Sequence, residues 1–334
     1  MIRPGFEAFR IQNDTSGYRA GLERIALETL TAGDTVIAVQ YSSVNYKDAL
    51  AGTGQGKILR KFPLNGGIDC AGIIIESVNP ALKPGDPVLV TGSGLSETID
   101  GGYSEYVRIG HEHVIPLPTG WSPRDAMILG TAGFTAGLAL LRMLENRQDP
   151  GLGPIAITGA TGGVGMLATA LFAKAGFTVH ALSGKTEYAD LLCRLGAAQV
   201  LPREAALSAK PMDSTRFGGA VDSVGGKTLN GLLAQTANYG NVASCGLVAS
   251  AELQGTVMPF IIRGVSLLGI ASAGTERAIR EQVWRLLATH FCAQDFNDLP
   301  VQEYLLSDLP SVFDIMLTGR SFGRSIVKIH TTAC

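Results

Sequence analysis

Four glycines fall within the nine residues ITGATGGVG, 157–165, and this stretch decides the fold. A flexible loop would not be framed by two apolar runs, Pro154–Ile157 before it and Met166–Ala168 after it. In a strand–turn–helix unit, one glycine makes the tight turn, the middle ones let pyrophosphate oxygens approach the amides, and the last allows close helix–sheet packing. Because Ala160 and Thr161 separate the first two glycines, the stretch departs from strict G-x-G-x-x-G. A tight turn without a ligand is therefore the alternative.

The chain after residue 125 alternates short apolar runs with helix-like stretches, the pattern of a doubly wound parallel sheet. The predicted strands are Ile155–Thr158, Thr178–Leu182, Gln199–Leu201, Ala220–Ser223, Asn241–Cys245 and Val265–Ala271, with a last strand at Arg324–Ile329. The predicted helices are Val164–Ala175, Lys185–Leu195, Lys227–Thr236 and Glu276–Thr289. Residues 1–125 instead hold short β-like runs separated by turn signals, and they predict a compact, mainly β unit. These runs are Thr35–Val39, Gly72–Ser77, Pro87–Val90 and Tyr103–Val107.

Length and composition agree with a two-domain globular protein. The chain has 334 residues, of which 46% are hydrophobic and 17% charged, so a sizeable core is available. Lys and Arg number 27 against 29 Asp and Glu, which gives no electrostatic reason to expect nucleic acid or an anionic membrane as partner. The longest apolar-looking run, 126–141, is broken by glycines and threonines, and no membrane span is expected. Five dispersed cysteines without a CxxC pair suit a reducing compartment, and the cytoplasm is expected.

The residues about 20 positions beyond the glycines indicate which dinucleotide binds, since the next strand ends near the adenosine ribose. An NAD site usually places a carboxylate there, whereas this chain has Ser183, Gly184 and Lys185. A hydroxyl, an amide and a cation suit a 2′-phosphate, and Arg203 after the third strand could be a second cation. NADP(H) is therefore predicted, and a solvated Lys185 at a helix start is the alternative.

The sequence resembles the medium-chain dehydrogenase/reductase superfamily, and within it the quinone-oxidoreductase-like branch that includes acrylyl-CoA reductases. The resemblance extends over nearly the whole chain and rests on strings such as SSVNYKDALAGTGQGKILRKFP (42–63), GIDCAG (67–72), GGYSEYVR (101–108), ITGATGGVG, AVDSVGG (220–226) and GRSIVKI (323–329). It implies an α/β chain with a GroES-like, mainly β catalytic domain at 1–125 and 273–334. It also implies an NADP-binding Rossmann domain at 126–272.

The resemblance further implies which residues contact the cofactor. The implied contacts are Tyr46; Gly159, Thr161, Gly162, Gly163 and Val164 at the phosphates; Ser183, Gly184, Lys185 and Arg203 at the 2′-phosphate; Leu247, Ile261 and Ser272 around the nicotinamide half; and Arg324. Lys185 stands where arginine is more usual, which keeps the charge but loses bidentate geometry. Relatives pair their subunits through the strand that corresponds to 265–271, so a homodimer is expected.

Zinc alcohol dehydrogenases share this architecture and hold a catalytic zinc ion. Their catalytic zinc needs a cysteine, a histidine and a further ligand, but the corresponding places read Asn45–Asp48 and Gly67–Asp69. His111-Glu112-His113 is interpreted as an extended surface loop whose histidines are not metal ligands. No metal is predicted.

Without a Lewis acid, the chemistry expected is reduction of an alkene conjugated to a thioester or ketone, because the carbonyl delocalises the charge that hydride addition leaves. Tyr46 is predicted beside the nicotinamide, either donating a proton or orienting the ring, with simple packing as the alternative. Asn45 and Asp69 are weaker catalytic candidates, and they are expected to hold the loop around Tyr46 in place and not to react. The expected substrate is a small molecule, a short 2-enoyl-CoA such as acryloyl-CoA, and the cluster Lys57, Arg60 and Lys61 could meet CoA phosphates. A quinone or enone reductase and a non-catalytic NADPH-binding protein stay open.

Overall fold

The computed structural model describes residues 3–329, which form two compact units. Among these residues, the first unit runs to Thr131, takes up Ala273–Glu281 and resumes at Cys292. The second unit comprises Ala132–Ser272 and Gln282–Phe291. These bounds differ from the predicted ones at the first boundary and in the return segment. The assignment of catalysis to one stretch and cofactor binding to the other stays a prediction.

The elements are named in chain order. The strands are β1 (Phe6–Asp14), β2 (Gly17–Ile25), β3 (Thr35–Val44), β4 (Leu64–Asn65), β5 (Asp69–Ser77), β6 (Pro87–Thr91), β7 (Tyr106–Ile109), β8 (Ile115–Pro116), β9 (Ile155–Thr158), β10 (Val179–Leu182), β11 (Ala197–Leu201), β12 (Gly219–Asp222), β13 (Asn241–Ser244), β14 (Ser266–Gly269), β15 (Val301–Tyr304) and β16 (Arg324–Lys328). The helices are α1 (Tyr46–Thr53), α2 (Pro123–Glu145), α3 (Gly163–Lys174), α4 (Ala189–Arg194), α5 (Gly226–Gln235), α6 (Met258–Arg263), α7 (Arg277–His290) and α8 (Leu309–Leu317).

The second unit is built on a six-stranded parallel sheet in the order β11-β10-β9-β12-β13-β14. Numbered from β9, this order is 3-2-1-4-5-6, that of the doubly wound dinucleotide-binding fold. All four residues of β9 are buried, as expected for a central strand covered on both faces. The predicted parallel sheet is therefore confirmed, and β14 lies at its edge.

The first unit is mainly β, as predicted. Its larger sheet runs β15-β16-β3-β5-β6-β8, with β7 also paired to β3, and a smaller sheet runs β2-β1-β4. An aromatic cluster fills the core, with the Phe9 ring 5.7 Å from Phe313 and 6.4 Å from Tyr103, both edge to face. Such edge-to-face pairs contribute roughly 0.5–1.5 kcal/mol beyond their buried area.

Helix α2 is broken at Gly130, whose φ of 49° and ψ of −149° lie outside the helical region. A Cβ there would lie 2.6 Å from the Ser43 hydroxyl and 2.8 Å from an Asp69 carboxylate oxygen, so glycine is required on both grounds. By length and composition α2 could cross a membrane, but 78% of its apolar window is buried inside the protein. That burial is typical of a core helix.

Candidate active site

The glycine-rich turn joins β9 to α3 in the second unit. Gly159 follows the strand with φ of 56°, a left-handed conformation that glycine adopts at no steric cost. A Cβ on Gly165 would lie 2.3 Å from the Gly159 carbonyl oxygen, so the helix can approach the turn this closely only with glycine at 165. The N-cap of α3 is Gly162, which has no side chain to cap the first amides of this 12-residue helix. Uncapped amides of this kind, together with the helix dipole, attract anions.

The residues predicted at the 2′-phosphate come together beside this turn. The hydroxyl of Thr161 lies 3.4 Å from that of Ser183, which also accepts the backbone N–H of Lys185 at 3.0 Å. A Cβ on Gly184 would lie 3.5 Å from the Arg203 side chain, so this cation borders the same loop. The Arg203 side chain is 79% exposed and pairs with Glu204 at 3.0 Å. The group therefore offers hydroxyls, amides and a solvent-facing guanidinium in one place.

The residues predicted around the nicotinamide half lie elsewhere in the second unit. Leu247 follows β13 and lines a cavity with Gly225, Cys245 and Gly246. Ile261 is on α6, with 76% of its surface exposed. Ser272 is the last residue before the chain returns to the first unit.

Asp222, which sequence reasoning missed, supports the carboxyl ends of two central strands. Its carboxylate accepts the Thr158 hydroxyl at 2.7 Å and the Gly225 N–H at 2.8 Å. Burial raises the pKa of this carboxyl, and the hydrogen bonds oppose the rise. Asp222 thus connects the end of β9, where the glycine turn begins, to the turn after β12. Taken together, the narrow glycine turn and its uncapped amides fit a dinucleotide phosphate.

Tyr46 is the first residue of α1 in the first unit, and 39% of its surface is exposed. Asn45 precedes it as the N-cap, and its backbone N–H and side-chain amide both donate to Asp48, at 2.9 and 3.1 Å. In return, the Asp48 backbone N–H donates to the Asn45 carbonyl at 2.9 Å, so the first turn of α1 is tied to its N-cap residue in the manner of a capping box. The phenol of Tyr46 therefore stands at a rigid helix start with an exposed face.

Asp69, at the start of β5, is fully buried and accepts hydrogen bonds from two separate segments, residues 43–45 and Thr131. Its carboxylate accepts the Ser43 hydroxyl at 2.6 Å, the Asn45 amide at 3.2 Å and the Thr131 N–H at 2.9 Å. A carboxylate occupied in this way holds its neighbours in place. Asn45 and Asp69, predicted as weaker catalytic candidates, thus occupy positions that order the loop around Tyr46.

Arg324, predicted as a cofactor contact, is buried in β16 within the first unit. Its guanidinium donates to the carbonyls of Ile128 at 2.7 Å and Met127 at 3.5 Å. Burial lowers the pKa of Arg324, while the nearby carboxylates Asp69 and Asp48 act in the opposite direction. The described contacts of Arg324 are therefore with the protein's own backbone and charges.

Two further groups of this buried cluster escaped sequence reasoning. The Tyr103 hydroxyl donates to the Ser43 carbonyl at 3.0 Å, and burial together with Asp48 and Asp69 raises its pKa well above the usual value. Asp48 is buried, and burial, followed by the charge of Asp69, raises its pKa to about 7. The spacing Asn45-x-x-Asp48, a capping-box pattern, was the available signal for Asp48. For Tyr103 the sequence offered only a strand-like run.

His111–His113 differs from its predicted extended geometry, since it forms a single turn of 3₁₀ helix. His111 pairs with Asp34 at 2.7 Å, and His113 lies 3.4 Å from the Glu112 carboxylate. Within residues 3–329, the one group of His, Cys, Asp and Glu side chains with donor atoms close enough for a metal ion is Asp34, His111 and Glu112. These three are partly or fully exposed and belong to the first unit.

Comparison with known families matches both units. The family described as "Zinc-binding dehydrogenase" matches residues 163–289, and the "Alcohol dehydrogenase GroES-like domain" matches residues 31–119. The chain is 39% identical over 97% of its length to "Putative quinone oxidoreductase YhfP" of Bacillus subtilis, covering 99% of that protein. It is equally 39% identical over 97% of its length to "Acrylyl-CoA reductase AcuI" of Ruegeria pomeroyi, again covering 99%.

Solved structures agree with these matches. The YhdH oxidoreductase of Salmonella enterica in complex with NADP has a TM-score of 0.93 and 39% identity, covering 97% of this chain and all of that one. YhfP of Bacillus subtilis with NAD bound has a TM-score of 0.92 and 38% identity, covering 98% of this chain and all of that one. The predicted combination of a GroES-like domain and a Rossmann-like parallel sheet is confirmed.

Proposed function

The chain belongs to the medium-chain dehydrogenase/reductase superfamily of oxidoreductases, and we propose that it is an NADPH-dependent reductase of short 2-enoyl-CoA thioesters such as acryloyl-CoA. One observation carries the substrate proposal: 39% identity to a protein named as an acrylyl-CoA reductase, over 97% of this chain. The exposed Lys57, Arg60 and Lys61 offer positive charge for the CoA phosphates.

The cofactor of the proposed reaction is NADP(H). The first amides of α3 and the narrow glycine turn receive the pyrophosphate, since Gly165 leaves room for that turn. Ser183, Lys185 and Arg203 receive the 2′-phosphate, where a carboxylate would repel it. The cofactor-bound structures of two relatives support a dinucleotide at this turn, one with NADP and one with NAD.

The bound cofactor supplies hydride to the β-carbon of the alkene. The thioester carbonyl takes up the resulting charge as an enolate, and a proton delivered to the α-carbon completes the reduction. In the first unit, Tyr46 presents an exposed phenol from the start of α1. That phenol donates the proton or orients the nicotinamide, while Asn45 and Asp69 hold its loop. The protein therefore contributes orientation and one proton donor to a reaction whose difficult step belongs to the cofactor.

We also propose that catalysis needs no zinc. At the places where zinc alcohol dehydrogenases carry ligands, this chain has Asn45, Asp48 and Asp69, and each of these side chains is engaged in hydrogen bonds to its neighbours. Prolonged treatment with a strong chelator should leave activity unchanged. Stoichiometric zinc that is lost together with activity would contradict this proposal.

The proposed assembly is a cytoplasmic homodimer, with no nucleic acid or membrane as partner. Strand β14 is the edge of the parallel sheet and is hydrogen-bonded to β13 on its inner side. Large apolar side chains other than the predicted nicotinamide contacts are exposed in the same unit: Val248, Leu253, Val257, Met258 and Ile262. A second copy pairing along β14 would cover both the open edge and this apolar surface. Sedimentation equilibrium of the purified protein tests the proposed dimer.

The substrate proposal is tested by measuring NADPH oxidation with acryloyl-CoA, crotonyl-CoA, simple enones and quinones side by side. We expect the highest kcat/KM with a short enoyl-CoA. With NADPH deuterated at the transferred position, deuterium should appear at the β-carbon of the product and solvent hydrogen at the α-carbon.

A quinone or enone reductase is the second candidate function, favoured by the equal identity to a protein named as a putative quinone oxidoreductase. Efficient turnover of quinones with no turnover of any enoyl-CoA would establish it in place of the first. Absence of turnover with the whole panel, alongside tight NADPH binding, would instead favour a non-catalytic NADPH-binding protein.

A further inference from the structure

Asp48 is a buried carboxylate beneath the exposed Tyr46, and only 1% of its surface is accessible. One of its oxygens accepts the Ile68 N–H at 2.9 Å. The other accepts the backbone N–H of Asn45 at 2.9 Å and the Asn45 side-chain amide at 3.1 Å. A single carboxylate thus joins the residue before Tyr46 to the residue before β5.

The second link in this arrangement is Asp69, which immediately follows Ile68. Asp69 accepts the same Asn45 amide, at 3.2 Å, from the other side. The helix start is therefore held against the β5 end by two carboxylates that share one asparagine. Since Tyr46 is the first helical residue, the direction of its Cα–Cβ bond depends on this clamp.

We propose that Asp48 is a positioning residue for Tyr46, whose carboxylate fixes the phenol by holding Asn45 and Ile68 together. The proposal rests on the proposed function in so far as Tyr46 acts on the cofactor or substrate. Asp48 itself is too deeply buried to touch either.

The charged and titratable groups around Asp48 come from every neighbouring part of the first unit. Asp69 on β5, Tyr103 before β7 and Arg324 on β16 all contribute to its electrostatic environment, and all are buried. Burial and the like charge of Asp69 favour the protonated form of Asp48, while its backbone hydrogen bonds favour the ionised form. Replacing Asp48 by asparagine keeps the shape but turns one acceptor oxygen into a donor that faces other donors.

The first experiment is a double-mutant cycle between Asp48→Asn and Tyr46→Phe, measured as kcat with the best acceptor of the panel. We expect Asp48→Asn to lower kcat about tenfold, since misplacing a reacting group by a fraction of an ångström has effects of this order. In the Tyr46→Phe background the same substitution should change kcat less than about twofold. If Asp48 acts only through the Tyr46 hydroxyl, the effects of the two substitutions are not additive. Equal effects in both backgrounds would overturn the proposal.

The matched control is Asp86→Asn. Asp86 also accepts a backbone N–H, that of Lys83 at 2.7 Å, but it does so in an exposed turn of the same unit. It should leave kcat unchanged. The ratio of the Michaelis constants for NADPH and NADH should be unchanged in Asp48→Asn, because the residues proposed at the 2′-phosphate belong to the second unit. A change in this ratio would contradict a positioning role confined to Tyr46, because Tyr46 is not among the residues proposed to bind the 2′-phosphate.

The second experiment needs no substrate. With ring-labelled tyrosine, the Tyr46 resonance is identified by its loss in Tyr46→Phe, and it should shift or broaden in Asp48→Asn but not in Asp86→Asn. An unchanged resonance overturns the proposal whatever the enzyme reduces. The resonance could change in Asp48→Asn while Tyr46→Phe leaves kcat unchanged with every acceptor. That result would support the positioning role of Asp48 and refute the proposed role of Tyr46 in catalysis. If Asp48→Asn does not fold, Asn45→Ala removes the side-chain half of the same contact and is read in the same way.

Discussion

The carboxyl groups that hold Asn45 in the first unit face inward, whereas the Arg203 guanidinium beside the glycine turn of the second unit faces outward. Asp48 and Asp69 are 1% and 0% exposed and accept their hydrogen bonds from the protein itself. Arg203, by contrast, has a side chain that is 79% exposed, and Gly162 leaves the first amides of α3 uncapped. The same kinds of group thus serve opposite purposes in the two units.

This difference separates stability from binding. A buried polar group that loses its partner costs free energy of unfolding, because desolvation is no longer compensated. An exposed group beside a ligand site costs little in the free protein and matters only when the ligand is bound. Substitutions of the buried carboxyl groups in the first unit should therefore lower stability first, and substitutions of exposed groups around the glycine turn should lower cofactor affinity first.

The largest effect is expected for Asp69→Ala. This substitution leaves the Ser43 hydroxyl, the Asn45 amide and the Thr131 N–H without their acceptor, and it removes a negative charge near Arg324. We expect the free energy of unfolding to fall by about 3–5 kcal/mol, the usual cost of breaking a buried charged network. Urea denaturation of both proteins measures it.

The control for Asp69→Ala is Asp314→Ala. Asp314 pairs with Arg320 at 2.9 Å, but both side chains are more than 60% exposed. Such a surface pair contributes only about 0–1 kcal/mol. If Asp69→Ala and Asp314→Ala lower the free energy of unfolding equally, the buried hydrogen bonds of Asp69 do not stabilise the first unit more than a surface ion pair does.

Gly165→Ala is expected to have the next largest effect. It should lower both the stability of the protein and its affinity for the cofactor. The new Cβ would lie 2.3 Å from the oxygen and 2.7 Å from the carbon of the Gly159 carbonyl, so the turn or the helix must shift. Overpacking of this kind costs about 1–3 kcal/mol. Because the shift moves the phosphate site itself, the Kd for NADPH should also rise, by about tenfold or more.

Gly21→Ala is the comparison for this change, since a Cβ at Gly21 meets nothing within 4 Å. Thermal denaturation and fluorescence titration with NADPH should show both losses in Gly165→Ala and neither in Gly21→Ala. A Gly165→Ala protein with unchanged stability and affinity would refute the tight-turn interpretation.

The second unit could be predicted more completely than the first, for a physical reason. Parallel strands covered on both faces are continuous apolar runs, and each of the six predicted strands overlaps an observed strand of the sheet. The hairpin of β1 and β2 escaped prediction, because β2 is largely exposed and its sequence GYRAGLERI carries little apolar signal. The strand predicted at Tyr103–Val107 begins only at Tyr106, and Tyr103 instead reaches into the core to donate to Ser43.

The same contrast holds for the candidate site. The residues at the glycine turn are local in sequence, and a motif can find them. The cluster of Asp48, Asp69 and Arg324 is assembled from segments up to 276 positions apart (324 − 48). No local sequence pattern can therefore predict that these side chains lie together. Arg324 was accordingly predicted as a cofactor contact, while its described partners are the backbone carbonyls of Met127 and Ile128.

A pH effect on stability is expected from Asp48 in the first unit, in addition to one of the same sign from Asp222 in the second unit, whose pKa is also raised. The pKa of Asp48 is raised from 3.8 to about 7 in the folded protein, mainly by burial. Between these two values the folded state binds more protons than the unfolded state, so this carboxyl makes stability fall as pH rises from about 4 to about 7. The slope is at most about 1.4 kcal/mol per pH unit for one proton.

The contribution of Asp48 is isolated by subtraction, because the pKa of Asp222 is also raised and other carboxyls titrate at lower pH. The pKa values of Asp34, Glu204 and Asp213 are lowered, so these groups lose their stabilising effect only as pH falls below the usual carboxyl range. The difference in unfolding free energy between the unmodified protein and Asp48→Asn should therefore change between pH 4 and 7 and be constant above pH 8. A flat difference over the whole range would contradict a raised pKa.

The smallest expected effects are at the 2′-phosphate, and they test whether the outward-facing groups act on the ligand alone. Lys185→Ala should raise the Michaelis constant for NADPH about tenfold, since a charged hydrogen bond is worth about 1.5–3 kcal/mol and 1.4 kcal/mol is tenfold. Arg203→Ala should raise it only about two- to threefold, because this guanidinium is largely solvated and already paired with Glu204. Neither substitution should change the Michaelis constant for NADH or the free energy of unfolding.

Lys210→Ala is the matched control and should change none of these quantities, because Lys210 is an exposed lysine of the same unit that is paired with Asp213. Equal affinity of the unmodified protein for NADPH and NADH would show that these cations do not read the 2′-phosphate, and it would leave cofactor choice undetermined by this loop.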